Sequence, residues 1–184
     1  MKTINKLLIP VLLTLMLAAC GDDTATSNPD KVYQINGVFG LKIGDQGPNL
    51  PEGYLENNKA FDFNPNPTHK SFVTYTYSVT PNTHLVYGIK VKGVKELERA
   101  SCKEQRAAMI KETLATLGDI STLTIVDESK WKIREYNQRE ISIECEPALN
   151  GGHQQLVMTY SDASLSKLSF VEWSKHQDDI TKPQ

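Results

Sequence analysis

The chain has 184 residues, with 20 Lys and Arg against 22 Asp and Glu, for a formal charge of −2 near neutrality. That balance offers no electrostatic grip on nucleic acid or on anionic lipid. The length suits one domain with a sizeable core rather than two.

The first element is a leader. Lys2 and Lys6 make a short positive start, an apolar run follows from Leu7 to Leu17, and the small pair Ala18-Ala19 precedes Cys20. This is the layout of a secretory signal peptide over residues 1–19, too short to stay in a bilayer as a spanning helix. The quartet Leu17-Ala18-Ala19-Cys20 closely resembles the lipobox of bacterial lipoproteins. The resemblance implies that Cys20 is lipidated and becomes the mature N-terminus; the alternative is an ordinary leader cut near Ala19, leaving a free thiol. One acyl chain holds a protein only marginally, whereas two or more anchor it durably at ~0.8 kcal/mol per buried methylene. In that family an aspartate directly after the cysteine favours the inner membrane. Here the residue is Gly21, so the resemblance implies the outer membrane, facing the periplasm. Losing Lys2 and Lys6 takes the net charge to about −4.

Export places the remaining cysteines, Cys102 and Cys145, in an oxidising compartment as an even pair. They are expected to form a disulfide, worth about 4 kcal/mol on the chain-entropy model. A redox or metal site is the alternative, but the chain has no C-x-x-C, and its four histidines show no ligand spacing.

Residues 20–31 comprise the lipidated cysteine and a small, polar, acidic stretch that reads as a flexible tether. A single α+β domain is expected over 32–175, with a disordered tail over 176–184. Inside the domain the dominant signal has period two. "VFGLKI" alternates through Phe39, Leu41 and Ile43. In "FVTYTYSVT", Val73, Tyr75, Tyr77 and Val79 share one face, opposite Thr74, Thr76 and Ser78. After the turn "PNTH", Leu85, Tyr87, Ile89 and Val91 alternate with Gly88, Lys90 and Lys92, completing an antiparallel hairpin. A helix is expected from Ser101, with Ser101 and Glu104 as a capping box and Gly118 just past its end. Its apolar stripe would be Ala107, Ile110, Leu114 and Leu117. Further strands run through Trp131 and Ile133, through Ile141, Ile143 and Cys145, and along "QLVMTYS". A second helix starts near Asp162 and carries Leu165, Leu168 and Trp173. Clean alternation implies an antiparallel sheet with one wet face and helices packed on the other. The order reads as three strands and a helix, twice. A duplicated βββα unit is one reading; coincidence between generic hairpins is the other.

No catalytic motif emerges: there is no G-x-S-x-G, H-E-x-x-H or C-x-x-C. His69, His84, His153 and His176 read as solvated residues of turns or tails. Asp178-Asp179 falls in the tail, a poor platform for acid–base work. No cofactor or metal is expected. Residues 44–70 stand out as a long Gly/Pro/Asn-rich connection carrying Tyr54, Phe61 and Phe63. These are candidate partner-binding aromatics. The competing reading makes Phe61 and Phe63 an edge strand packed on the core, with "NPNP" as its turn. The wet face with Thr74, Thr76, Ser78, Lys90 and Lys92 is a second candidate surface.

These features point to a lipid-anchored envelope domain with a non-catalytic, protein-binding or accessory role in an envelope assembly. An inhibitor or immunity lipoprotein that blocks a toxin or hydrolase is the alternative. An enzyme acting on envelope substrates is a third class, without candidate residues.

Overall fold

The computed structural model describes residues 32–48, 50, 60–127, 131–148 and 152–181. The leader, Cys20, the tether up to residue 31 and Tyr54 lie outside the described residues. Two short strands, β1 (Gly37–Val38) and β2 (Leu41–Lys42), form a hairpin of their own. The main sheet contains β3 (Phe61–Asp62), β4 (Thr74–Val79), β5 (Val86–Lys92), β6 (Leu123–Asp127), β7 (Lys132–Glu135), β8 (Arg139–Pro147) and β9 (Gln154–Asp162). Helix α1 (Arg99–Leu117) separates β5 from β6, and α2 (Ala163–Thr181) follows β9. The strand order is β3-β4-β5-β9-β8-β7-β6, with every neighbouring pair antiparallel. The fold is α+β, as the alternation predicts.

Cross-strand partners share a face. One row therefore runs across all seven strands: Phe61, Tyr77, Ile89, Tyr160, Ile141, Ile133 and Ile125. Its middle five members are buried, and they form one core with Cys102 and Met109 of α1 and Leu165 of α2. Burial pushes the Tyr160 phenol well above its ordinary pKa, so it stays neutral.

The topology has the order that a two-fold relation would produce. β3-β4-β5 then α1 is one unit, β7-β8-β9 then α2 the other, and they meet where β5 pairs with β9. Each helix crosses to the opposite unit: α1 packs on β8 and β9, and α2 reaches back to β5. Each crossing is fastened. Cys102, fully buried in the first turn of α1, is disulfide-bonded to Cys145 of β8, 43 residues away, with a Cα–Cα distance of 6.1 Å. On the other side Glu172 of α2 accepts hydrogen bonds from the Asn82 amide (2.6 Å) and the Thr83 hydroxyl (3.0 Å) in the β4–β5 turn.

The remaining face of the core is closed by residues 33–48, held by a buried polar cluster. The Arg139 guanidinium donates to Asp162 Oδ2 (3.2 Å), to the carbonyls of Ile35 (3.1 Å) and Ile43 (3.3 Å), and to Asn36 Oδ1 (3.0 Å). The Tyr33 ring lies over it at 4.1 Å. Asp162 also accepts from the amides of Ser164 and Leu165, which caps α2. Glu135, fully buried, accepts from the amides of Gln34 and Ile35.

Several local expectations change. "VFGLKI" is a hairpin instead of a strand, because Phe39 and Gly40 both take positive φ (56° and 86°) and turn the chain back. Gly37 is required there: a Cβ would lie 2.1 Å from the Leu41 carbonyl oxygen. Helix α1 begins at Arg99 with Glu98 at its N-cap and no side-chain cap bond, so Ser101 lies inside the helix and the capping box does not form. Its buried residues are Cys102, Met109 and Thr113, and Ala107 is exposed, because the disulfide sets the rotation of the helix. Gly118 does end it, at φ 72°, with its amide bonded to the Leu114 carbonyl. A bulge in β5 places Val79 opposite Val86. Val86 is therefore the buried residue, while Leu85 and Tyr87 are half-buried. Val73 precedes β4 and is 62% exposed. α2 continues past residue 175 to Thr181, replacing most of the expected disordered tail, since no glycine or proline interrupts the run before Pro183. β6 has no counterpart among the expected strands.

Removing one partner of a buried, hydrogen-bonded ion pair leaves an uncompensated charge, so Arg139→Ala should destabilise by about 3–5 kcal/mol. Replacing both Cys102 and Cys145 by alanine should cost about 4 kcal/mol. Urea denaturation of each variant against wild type checks both values.

Candidate functional site

The face of the sheet opposite the core has its own rows. One runs Thr76, Lys90, Thr159, Ser142, Lys132 and a second runs Ser78, Gly88, Ser161, Glu140, Arg134, Thr124. A third adds Thr74, Lys92, Val157 and Glu144. The middle of this face is floored by small residues: Ser78, Gly88, Ser161, Thr159 and Ser142. Longer charged side chains stand around them.

Those charges are partly paired. Lys90 meets Glu146 at 3.0 Å. Glu140 receives Lys132 at 2.9 Å on one oxygen and Arg134 at 2.7 Å on the other. Burial pushes the Glu140 carboxyl up, but hydrogen bonds and charge from Lys132 and Arg134 outweigh it and hold the pKa below the ordinary carboxylate value. Apart from the fully buried Val157, the face is polar, of mixed sign and preorganised. It can present hydrogen bonds and charges to another protein's surface.

The sequence-derived residues are placed as follows. Thr74, Thr76, Ser78, Lys90 and Lys92 all lie on this open face, each half-buried. Their β7–β9 counterparts escaped the sequence reading, although Glu140, Ser142 and Glu144 alternate with Ile141, Ile143 and Cys145. The alternation was visible; the strand order that joins the two sets was not.

Phe61 and Phe63 belong to the opposite side. Phe61 sits 5.6 Å from the Tyr77 ring, and Phe63 sits 6.0 Å from both Tyr75 and Tyr77. β3 pairs with β4, and the Phe63 amide bonds to the Tyr75 carbonyl at 3.1 Å. Both rings are half-buried and committed to the core edge. The Phe63 ring also borders a cleft of about 320 Å³ shared with Phe39, Leu41, Pro48 and Asn66. Tyr77 donates to the Pro48 carbonyl nearby. His69, expected in solvent, is packed between Phe39 and Phe72 and meets Glu112 of α1 at 3.0 Å.

Among the described residues, no three His, Cys, Asp or Glu side chains converge into a metal-binding group. Among the same residues, no helix is long and apolar enough to cross a membrane. No family model, curated protein or solved structure matches the chain.

Half-burial implies that Phe61→Ala and Phe63→Ala each cost about 1–3 kcal/mol, below the 3–5 of a fully buried ring. A carboxyl whose folded-state pKa is lowered stabilises the fold above its unfolded pKa and loses that contribution as pH falls through the folded one. Glu140→Gln should therefore cost about 1 kcal/mol at neutral pH, the partners being partly exposed. Its stability should converge with that of wild type only as pH falls below the ordinary carboxylate value, through the lowered folded-state one. Urea unfolding as a function of pH checks the sign.

Proposed function

We propose that the protein is a lipid-anchored periplasmic module whose open sheet face binds another envelope protein without catalysis. The observation that carries this reading is a preorganised polar face, spanning most of a seven-stranded sheet, with neither helix packed over it. The Cys102–Cys145 bond supports the compartment, since disulfides persist in oxidising surroundings. The lipobox resemblance at Leu17–Cys20 supports the anchor. Tethering raises the effective concentration of the face towards other anchored proteins, so a modest interface suffices.

A second reading, an inhibitor or immunity lipoprotein, draws on the fastening of both helices. A rigid surface loses little entropy on binding and suits tight blockade of a toxin or hydrolase.

Two measurements test the proposal. Labelled palmitate should enter the wild-type product and not a Cys20→Ser variant; equal labelling refutes the anchor. Affinity capture from solubilised envelopes should retain a stoichiometric endogenous partner. Reversing Lys90 and Lys92 to glutamate should lose that partner at least tenfold while leaving the melting temperature within a few degrees. Capture unaffected by the reversal would remove the open face from the interface. Nanomolar inhibition of a foreign hydrolase would favour the second reading.

A further inference from the structure

Helix α2 carries apolar side chains on the side turned away from the sheet. Leu165, Ser169 and Glu172 are buried and face inwards, at the spacing of one helical side. On the other side Lys167, Phe170 and Val171 stand in solvent, with Phe170 69% exposed and Val171 40%. The other four phenylalanines, Phe39, Phe61, Phe63 and Phe72, are buried or half-buried against the core. A single exposed apolar side chain is ordinary on a protein surface, so exposure alone assigns Phe170 no role. Its position does.

The described chain begins beside the N-terminal end of the same helix. The Tyr33 hydroxyl donates to Gln138 Oε1 at 2.6 Å, and the Gln138 carbonyl accepts from the Ala163 amide at 2.9 Å, where α2 starts. Val32 is 88% exposed at this junction, and the exposed Tyr136 ring meets Tyr33 edge-on at 5.9 Å. Residues 33–48 and α2 both lie on the core side of the sheet, so chain entry and Phe170 belong to one layer of the fold. The open face is the other layer. Roughly a dozen residues separate Cys20 from Val32. At no more than about 3.6 Å per residue, they keep this end of the domain within about 45 Å of the proposed acyl chains.

We infer that the outer side of α2 rests on the phospholipid surface that holds the proposed anchor, with Phe170 and Val171 entering between the headgroups. The inference rests on the anchored reading and adds an orientation to it: the open sheet face points away from the bilayer, where a partner can reach it. Lys167 and the exposed Lys175 flank the two apolar side chains. Their stems lie along apolar surface while their ammonium groups stay level with the lipid phosphates. The exposed carboxylate of Asp178 repels phosphate, so the contact lies on the helix before it. With a net charge of −2 the chain is not drawn to lipid from a distance. The tether supplies the encounter instead, by raising the local concentration so that a contact too weak to hold a free protein suffices.

Fluorescence quenching by lipid tests this on the full-length protein in vesicles of phosphatidylethanolamine and phosphatidylglycerol, with no other protein present. An environment-sensitive fluorophore is attached through Val171→Cys or, on the open face, through Lys92→Cys. Lipids carrying a quencher in the upper acyl chain should quench the label at 171 at least threefold more than the label at 92. Adding Phe170→Glu to the Val171→Cys chain should abolish that difference. Because Phe170 is mostly exposed, the added change should leave flotation with the vesicles and the melting temperature as they were. Equal quenching at 171 and 92 in protein that floats, or no effect of Phe170→Glu, overturns the docking and leaves the anchor standing. A wild-type chain that takes up the fluorophore at Cys20 and does not float overturns both.

Discussion

The fold depends on a guanidinium held away from water. Arg139, 8% exposed, sits where β8 begins, and its donors are divided between the carboxylate of Asp162 on β9 and three acceptors in residues 35–43. Burying such a charge costs several kcal/mol unless every donor is used, so the surrounding chain is constrained to supply acceptors in fixed positions. Asp162 is fully buried and also caps α2, so the same carboxylate fixes where that helix starts. One ion pair therefore orders the N-terminal segment, the central strands and a helix together. The Tyr33 ring stacks on this arginine, so the start of the described chain is held to the same cluster.

The two units resemble each other in topology but not in chemistry. At one junction a covalent bond fastens helix to strand; at the other a buried carboxylate satisfies the amides and hydroxyl of a tight turn. Both achieve the same end, preventing a helix from sliding over the strands of the opposite unit. Neither helix has a broad apolar stripe: α1 buries a cysteine, a methionine and a threonine, and α2 buries a leucine beside Ser169 and Glu172. Helices with so little apolar contact depend on such fastenings for their placement.

The molecule offers two surfaces of different kinds. The open face is polar, with its central glutamate paired to two cations, and its chemistry suits recognition by charge and hydrogen bonding. The β6 edge, LTIVD, exposes Ile125 and Val126, with a bulge and the charged Asp127 at its end. The two lie on adjacent aspects of one sheet, so occupation of the edge leaves the face free.

Local chemistry was readable in the residues themselves. Period-two alternation identified β4, β5, β7 and β8, a mostly apolar run identified β9, and the glycine at 118 marked the end of α1. The disulfide between Cys102 and Cys145 is the pairing expected of an even pair of cysteines in an oxidising compartment. These follow from interactions between near neighbours in the chain. What depended on distant contacts was not readable there. Phe39-Gly40 is a turn because the hairpin packs under Arg139, and Val86 replaces Tyr87 inside because a bulge shifts the phase. α1 rotates to bring Cys102 inwards because Cys145 lies beneath it. Glu135 and Arg139 looked like ordinary charged positions on amphipathic strands and Asp162 like the start of a helix, and only the folded arrangement makes them a buried cluster. The strand order, which places β5 beside β9 and leaves β6 outermost, likewise follows from how the two units meet. No stretch of sequence encodes it alone, because pairing between strands about 70 residues apart is selected by the summed burial of both faces.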